Sequence, residues 1–121
     1  MYIEEIKWLD KQEKEAMLKV VSGGESLKCF SYPCSYNVGD ILIESLECLD
    51  TDNIVLCETQ GNSIEKMEGA FKYRLKGELK DTKDGIVKVY DFKLHIDEGK
   101  IPKDIMNGMY VQFVVSRIDV W

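Results

Sequence analysis

"NGMYVQFVVSRIDVW", residues 107–121, is the stretch on which the fold turns. Beyond the Asn107-Gly108 break, Val111, Phe113 and Val115 alternate with Tyr110, Gln112 and Val114, the two-residue period of a strand. At Ser116 the phase switches, and Ile118 and Val120 fall on the opposite side, so a bulge or sharp bend is expected there. A run this apolar belongs inside a sheet, with Trp121 packed at its end.

The same grammar occurs earlier, in "CSYNVGDILIESLECLD", residues 34–50. At a constant offset of 69, Lys19 aligns with Lys88, Val20 with Val89, Gly39 with Gly108 and Ile41 with Tyr110. Leu46 then aligns with Val115, Leu49 with Ile118 and Asp50 with Asp119. The match suggests repeat halves 1–50 and 70–121 joined by a connector, 51–69. It needs a gap around "SGGES", and two unrelated β segments share much of this pattern, so duplication and common strand grammar both stay open.

Working outward, "FKYRLKGELK" (71–80) sets Phe71, Tyr73, Leu75, Gly77 and Leu79 against Lys72, Arg74, Lys76, Glu78 and Lys80, a strand with one wet face. "DTKDG" supplies the turn chemistry of a hairpin. "IVKVYDFKLHID" (86–97) reads as one strand, or as two broken near Asp91, and "EGKIPKDIMNG" (98–108) as a loop. Before them, 2–10, 15–22 and 25–32 read as strands joined by "KQEK" and by a two-residue Gly-Gly hairpin, the last ending at Pro33. The connector holds a short strand, Ile54 to Cys57, and then Asn62 or Ser63 as the cap of a short helix running to about Glu68.

The sum is a mostly β chain of about eight or nine short strands with one short helix. It is expected as a single domain over residues 1–121, built as a small barrel or as two related antiparallel sheets. Five strands around a short helix resemble the layout of an oligonucleotide/oligosaccharide-binding barrel over about half the chain.

Composition bounds the function. Hydrophobic content of 45% and charged content of 31% are those of a folded globular chain, and no apolar run approaches the ~20 residues of a membrane-spanning helix. Glu4 and Glu5 stand where a secretory signal would be basic, so a cytoplasmic location is expected. In that compartment Cys29, Cys34, Cys48 and Cys57 are reduced and packed. Their spacing offers at most one zinc knuckle, so no metal is expected. His95 is the one imidazole, set on a strand's polar face, and no nucleophile, carboxylate pair or phosphate loop is marked, so neither an enzyme nor a cofactor is expected.

Charge separates two remaining readings. Residues 1–69 carry 6 basic and 14 acidic side chains, residues 70–121 carry 10 and 8, and the net charge is −6. Glu4, Glu5, Glu13, Glu15, Glu44 and Glu47 would steer the chain to a basic protein partner, as in an adaptor, inhibitor or immunity protein. Lys72, Arg74, Lys76, Lys80, Lys88 and Lys93 form the alternative, a ridge for single-stranded nucleic acid. Phe71, Tyr73 and Phe92 alternate to the far side of that ridge, which disfavours it, since single strands need aromatic platforms beside the cations.

Overall fold

The computed structural model describes residues 1–121 and contains eleven strands and a single 3-10 turn at Glu98–Lys100. The strands are β1 (Tyr2–Asp10), β2 (Glu15–Ser22), β3 (Glu25–Ser31), β4 (Leu46–Leu49), β5 (Asp52–Cys57) and β6 (Ser63–Lys66). They continue with β7 (Tyr73–Asp81), β8 (Ile86–Val89), β9 (Phe92–His95), β10 (Tyr110–Val115) and β11 (Arg117–Asp119). One ladder runs β1-β2-β3-β11-β4-β9-β8-β7-β10-β5, and β6 adds to β7.

Local chemistry explains the hairpins. Gly23 and Gly24 join β2 to β3 with φ of 59° and 85°, the paired left-handed geometry of a two-residue turn that matches strand twist. Between β7 and β8, Asp81 accepts from the N–H groups of Lys83 and Asp84 at 2.9 and 3.2 Å, closing the turn. Gly77, in the middle of β7, lets the backbone of Lys88 come so near that a Cβ would lie 2.3 Å from its carbonyl oxygen.

Two meanders, β1-β2-β3 and β7-β8-β9, flank a central antiparallel pair, β4 and β11. The pair is crossed over: β4 lies parallel to β9 and β11 parallel to β3. Exchanging each partner of Cys48–Ile118 for its counterpart 69 residues away gives Arg117–Leu49, which is a pair of the same ladder. A second correspondence concerns Gly39 and Gly108, with φ of 94° and 91°. Gly39 N donates to Ile3 O while Ile3 N donates to Asp40 O, at 2.7 and 3.0 Å. Gly108 N likewise donates to Leu79 O and Leu79 N to Met109 O, both at 2.8 Å.

The crossed pair stitches both meanders into one open mixed sheet, in place of the barrel or the two antiparallel sheets expected from sequence. Its inner face buries 25 apolar side chains as one cluster, with Phe92 and Phe113 the largest fully enclosed. The bulge or sharp bend expected at Ser116 is a bend where the chain leaves β10 for β11, which explains the phase switch. The 86–97 segment breaks at Tyr90-Asp91 into β8 and β9.

Two expectations are corrected. The short helix from Asn62 to Glu68 is instead β6, because the backbone of Ser63–Lys66 finds the open edge of β7. Asn62 accepts from Tyr90 N at 2.9 Å and so caps nothing. The second concerns Trp121, expected to pack: it lies beyond β11, and its side chain stands in solvent beside the buried Val120.

Candidate functional site

The largest break with ordinary sheet chemistry surrounds that indole. Val120 N donates to Phe30 O at 2.9 Å, and Ser31 Oγ donates to Val120 O at 3.3 Å. The hydroxyl of Tyr36, whose pKa burial raises, donates to the carbonyl of Trp121. These bonds fix the backbone, yet the Trp121 side chain is 83% exposed. Ile43 is 80% exposed, Ile41 71% and Tyr32 58%.

Trp121 stands between two shallow grooves. One, of about 190 Å³, is walled by Tyr36, Ile41, Ile43 and Glu44, with Leu42 and Val120 beneath. The other, of about 260 Å³, lies among Phe30, Tyr32, Pro33 and Asp119. The second is braced by a stack: Phe71 meets Phe30 edge to face at 5.8 Å, and Arg117 covers the same Phe30 ring. Trp121 thus joins the two grooves into one patch on which large apolar side chains are left in water.

The basic residues named from sequence share a face of the sheet by register, since Glu78, on the side of β7 that carries Arg74, Lys76 and Lys80, pairs with Lys88, and Lys88 with Lys93. Arg74 is paired to Glu65 at 2.9 Å, Lys76 donates to Thr59 Oγ1 at 3.0 Å, and Lys72 is exposed at the entry to β7. Lys80, Lys88 and Lys93 converge along a groove of about 340 Å³ that also contains Asp91, with Lys88 directly opposite Lys93. Lys80 is paired to Glu78 at 3.1 Å, so part of the group's charge is already answered.

The acidic residues scatter. Glu4 is bound to Lys19 at 2.9 Å, and Glu5 faces a groove with Lys19, Lys28 and Lys66. Glu13 sits in the β1–β2 turn and Glu15 opens β2. Glu47 holds His95 Nδ1 at 2.7 Å, and Glu98 approaches its other nitrogen at 3.4 Å. That engagement raises the histidine's pKa and half-buries a ring expected to be fully solvated. Glu44 alone lies on the Trp121 patch.

Sequence reasoning marked none of Tyr32, Ile41, Ile43 and Trp121 as a surface residue, and it placed Trp121 in the packing. The one available signal was "ILIE", where Ile41 and Ile43 share a phase opposite to Leu42: apolar residues on both phases of a short strand leave one set outside.

The fold and this surface define a mixed-sheet β-protein presenting an aromatic and aliphatic patch at the end of its central strand. Over residues 1–121 the chain matches the family described as uncharacterised conserved protein UCP019853, and it belongs to that family. No curated protein and no solved structure matches it.

Proposed function

We propose that this chain is a non-catalytic protein-interaction module of the cytoplasm, an adaptor, inhibitor or immunity-like factor, which docks through the surface around Trp121. The observation that carries the reading is the exposure of Trp121, Ile43, Ile41 and Tyr32 on one patch. A tryptophan in the middle of such a patch has the character of an interface hot spot, because its large rigid area is desolvated by a partner at little entropic cost. Glu44 on the rim and the net charge of −6 favour a basic partner. The halves 1–50 and 70–121 are two copies of one unit, a reading supported by the recurring Gly39 and Gly108 bonds and the self-exchanging β4·β11 ladder.

The test is retention of proteins from native extract by the wild type and by the Trp121→Ala/Ile43→Ser variant. Both positions are exposed, so the variant keeps its thermal midpoint and loses the specific partner. A variant that retains the same proteins as the wild type sinks the reading. The nucleic-acid alternative, the ridge from Lys72 to Lys93, is tested at Lys80, Lys88 and Lys93, which line one groove. Under the lead reading a labelled single-stranded oligonucleotide does not bind even at low salt, and salt-sensitive binding lost on reversing these three charges would replace it.

A further inference from the structure

Two segments 69 residues apart meet their neighbours differently. Tyr110 and Gln112 in β10 pair on one side with Glu78 and Lys76 of β7, and on the other with Cys57 and Val55 of β5. Ile41 pairs with Tyr2 of β1 on one side only. Ile3 N donates to Asp40 O and Leu42 N donates to Met1 O, at 3.0 and 2.8 Å, so the peptide groups of Ile41 and Ile43 face away from β1. No hydrogen bond within the chain reaches the N–H or C=O of either isoleucine. A row of unanswered backbone donors and acceptors beside exposed aliphatic side chains is the template for strand pairing.

We infer that the Ile41–Ile43 edge accepts an antiparallel β-strand from a protein partner, a strand that is aliphatic at its centre and carries Lys or Arg at both ends. The inference rests on the reading of the Trp121 surface as a docking site and gives its mode of recognition. The chain itself supplies the pattern: β5, with Val55 and Leu56, adds antiparallel to β10 at the corresponding place. Side chains of the added strand that share the outer face with Ile41 and Ile43 lie along the groove walled by Trp121 and Tyr36. The basic ends follow from the rim, where Asp40 and Glu44 bracket the edge. The same bracket argues against a second copy as occupant, since pairing two of these edges about Leu42 sets Asp40 of one against Glu44 of the other.

The experiment pans a displayed library of random twelve-residue peptides on the native protein and follows amide hydrogen exchange with and without the enriched peptides. Enriched sequences alternate aliphatic residues between Lys or Arg, and they slow exchange at Ile41 and Ile43. Ile43→Pro, which removes a donor unused in the free protein, weakens binding by about tenfold or more at an unchanged thermal midpoint. Glu44→Lys, which keeps every backbone donor and leaves the bond from Asn37 N to the Asp40 carboxylate in place, weakens the same peptides and covers the case in which the proline variant is misfolded. Peptides that depend on Trp121 but leave the Ile41 and Ile43 amides exchanging freely would overturn strand addition while sparing the docking surface. So would failure to enrich any peptide beside a partner protein lost from Trp121→Ala/Ile43→Ser. Self-association that protects these amides without peptide would overturn it in favour of a second copy.

Discussion

The guanidinium of Arg117 lies 4.1 Å from the centre of the Phe30 ring while its Nε and Nη2 donate to the two carboxylate oxygens of Asp119 at 2.7 and 2.9 Å. Cation and fork-like ion pair thus share one plane at the junction of β3 and β11, where a single pair, Asp119 with Phe30, joins the two strands. Asp119 is buried, so Asp119→Ala removes two charge-assisted bonds and should cost about 1.5–3 kcal/mol. Lysine cannot reproduce the fork or the stack, and Arg117→Lys should cost about 1 kcal/mol. Urea unfolding of both variants checks this, and an Arg117→Lys midpoint equal to the wild type would show that the geometry contributes nothing.

Val120 and Trp121, adjacent in sequence, differ sharply in burial. Val120 is buried and bonded to Phe30, whereas Trp121 offers its side chain to water. Val120→Ala should lower stability by about 1–2 kcal/mol, while Trp121→Ala should move it by less than about 0.5 kcal/mol. Deleting residues 117–121 removes β11 from between β3 and β4 and should abolish cooperative unfolding. Thermal melts followed by circular dichroism decide all three.

His95 gives the molecule a pH dependence of defined sign. Its pKa is raised from 6.5, first by the hydrogen bond to Glu47, against the opposing effect of burial, and further by the charges of Glu47 and Glu98. A raised folded pKa means that the stabilisation is full below the unfolded value and is lost as pH rises through the folded one. The wild type should therefore lose a modest part of its stability as pH rises from 6.5 through the raised value. His95→Gln should flatten that segment of the curve, and a variant with the same slope as wild type would locate the dependence elsewhere.

Thiol reactivity should follow depth. Cys29, Cys34 and Cys48 are buried, and desolvation pushes the Cys29 and Cys48 thiols well up from their ordinary values, which suppresses the reactive thiolate. Cys57, at the end of β5, is half-buried. A maleimide reagent should label Cys57 first in the native protein and all four after denaturation. Prompt labelling of Cys48 would contradict the enclosed core.

What the residues disclosed on their own was whatever has a local period. The alternation from Tyr73 to Leu79, the Gly23-Gly24 turn and the change of phase at Ser116 all reappear in the fold, because each is decided by neighbours a few positions apart. The parallel contacts of β3 with β11 and β4 with β9 left no such mark, and without them two sheets or a barrel looked sufficient. The four residues of β6 suit either a helical turn or a strand, and the open edge of β7 decides between them. The exposed patch was hidden for a related reason: which side of Trp121 meets water depends on the packing of distant segments.

The crossed central pair makes assembly a late event in the life of the chain. Ser31 and Val120, which share a hydrogen bond, are 89 residues apart, and β3 has no neighbour on that flank until β11 arrives. On a ribosome the first meander emerges, forms its hairpins and waits with the flank of β3 unprotected while residues 32–116 are made. Such high contact order predicts slow folding and a nascent form that depends on escaping unwanted strand partners until β11 closes the gap.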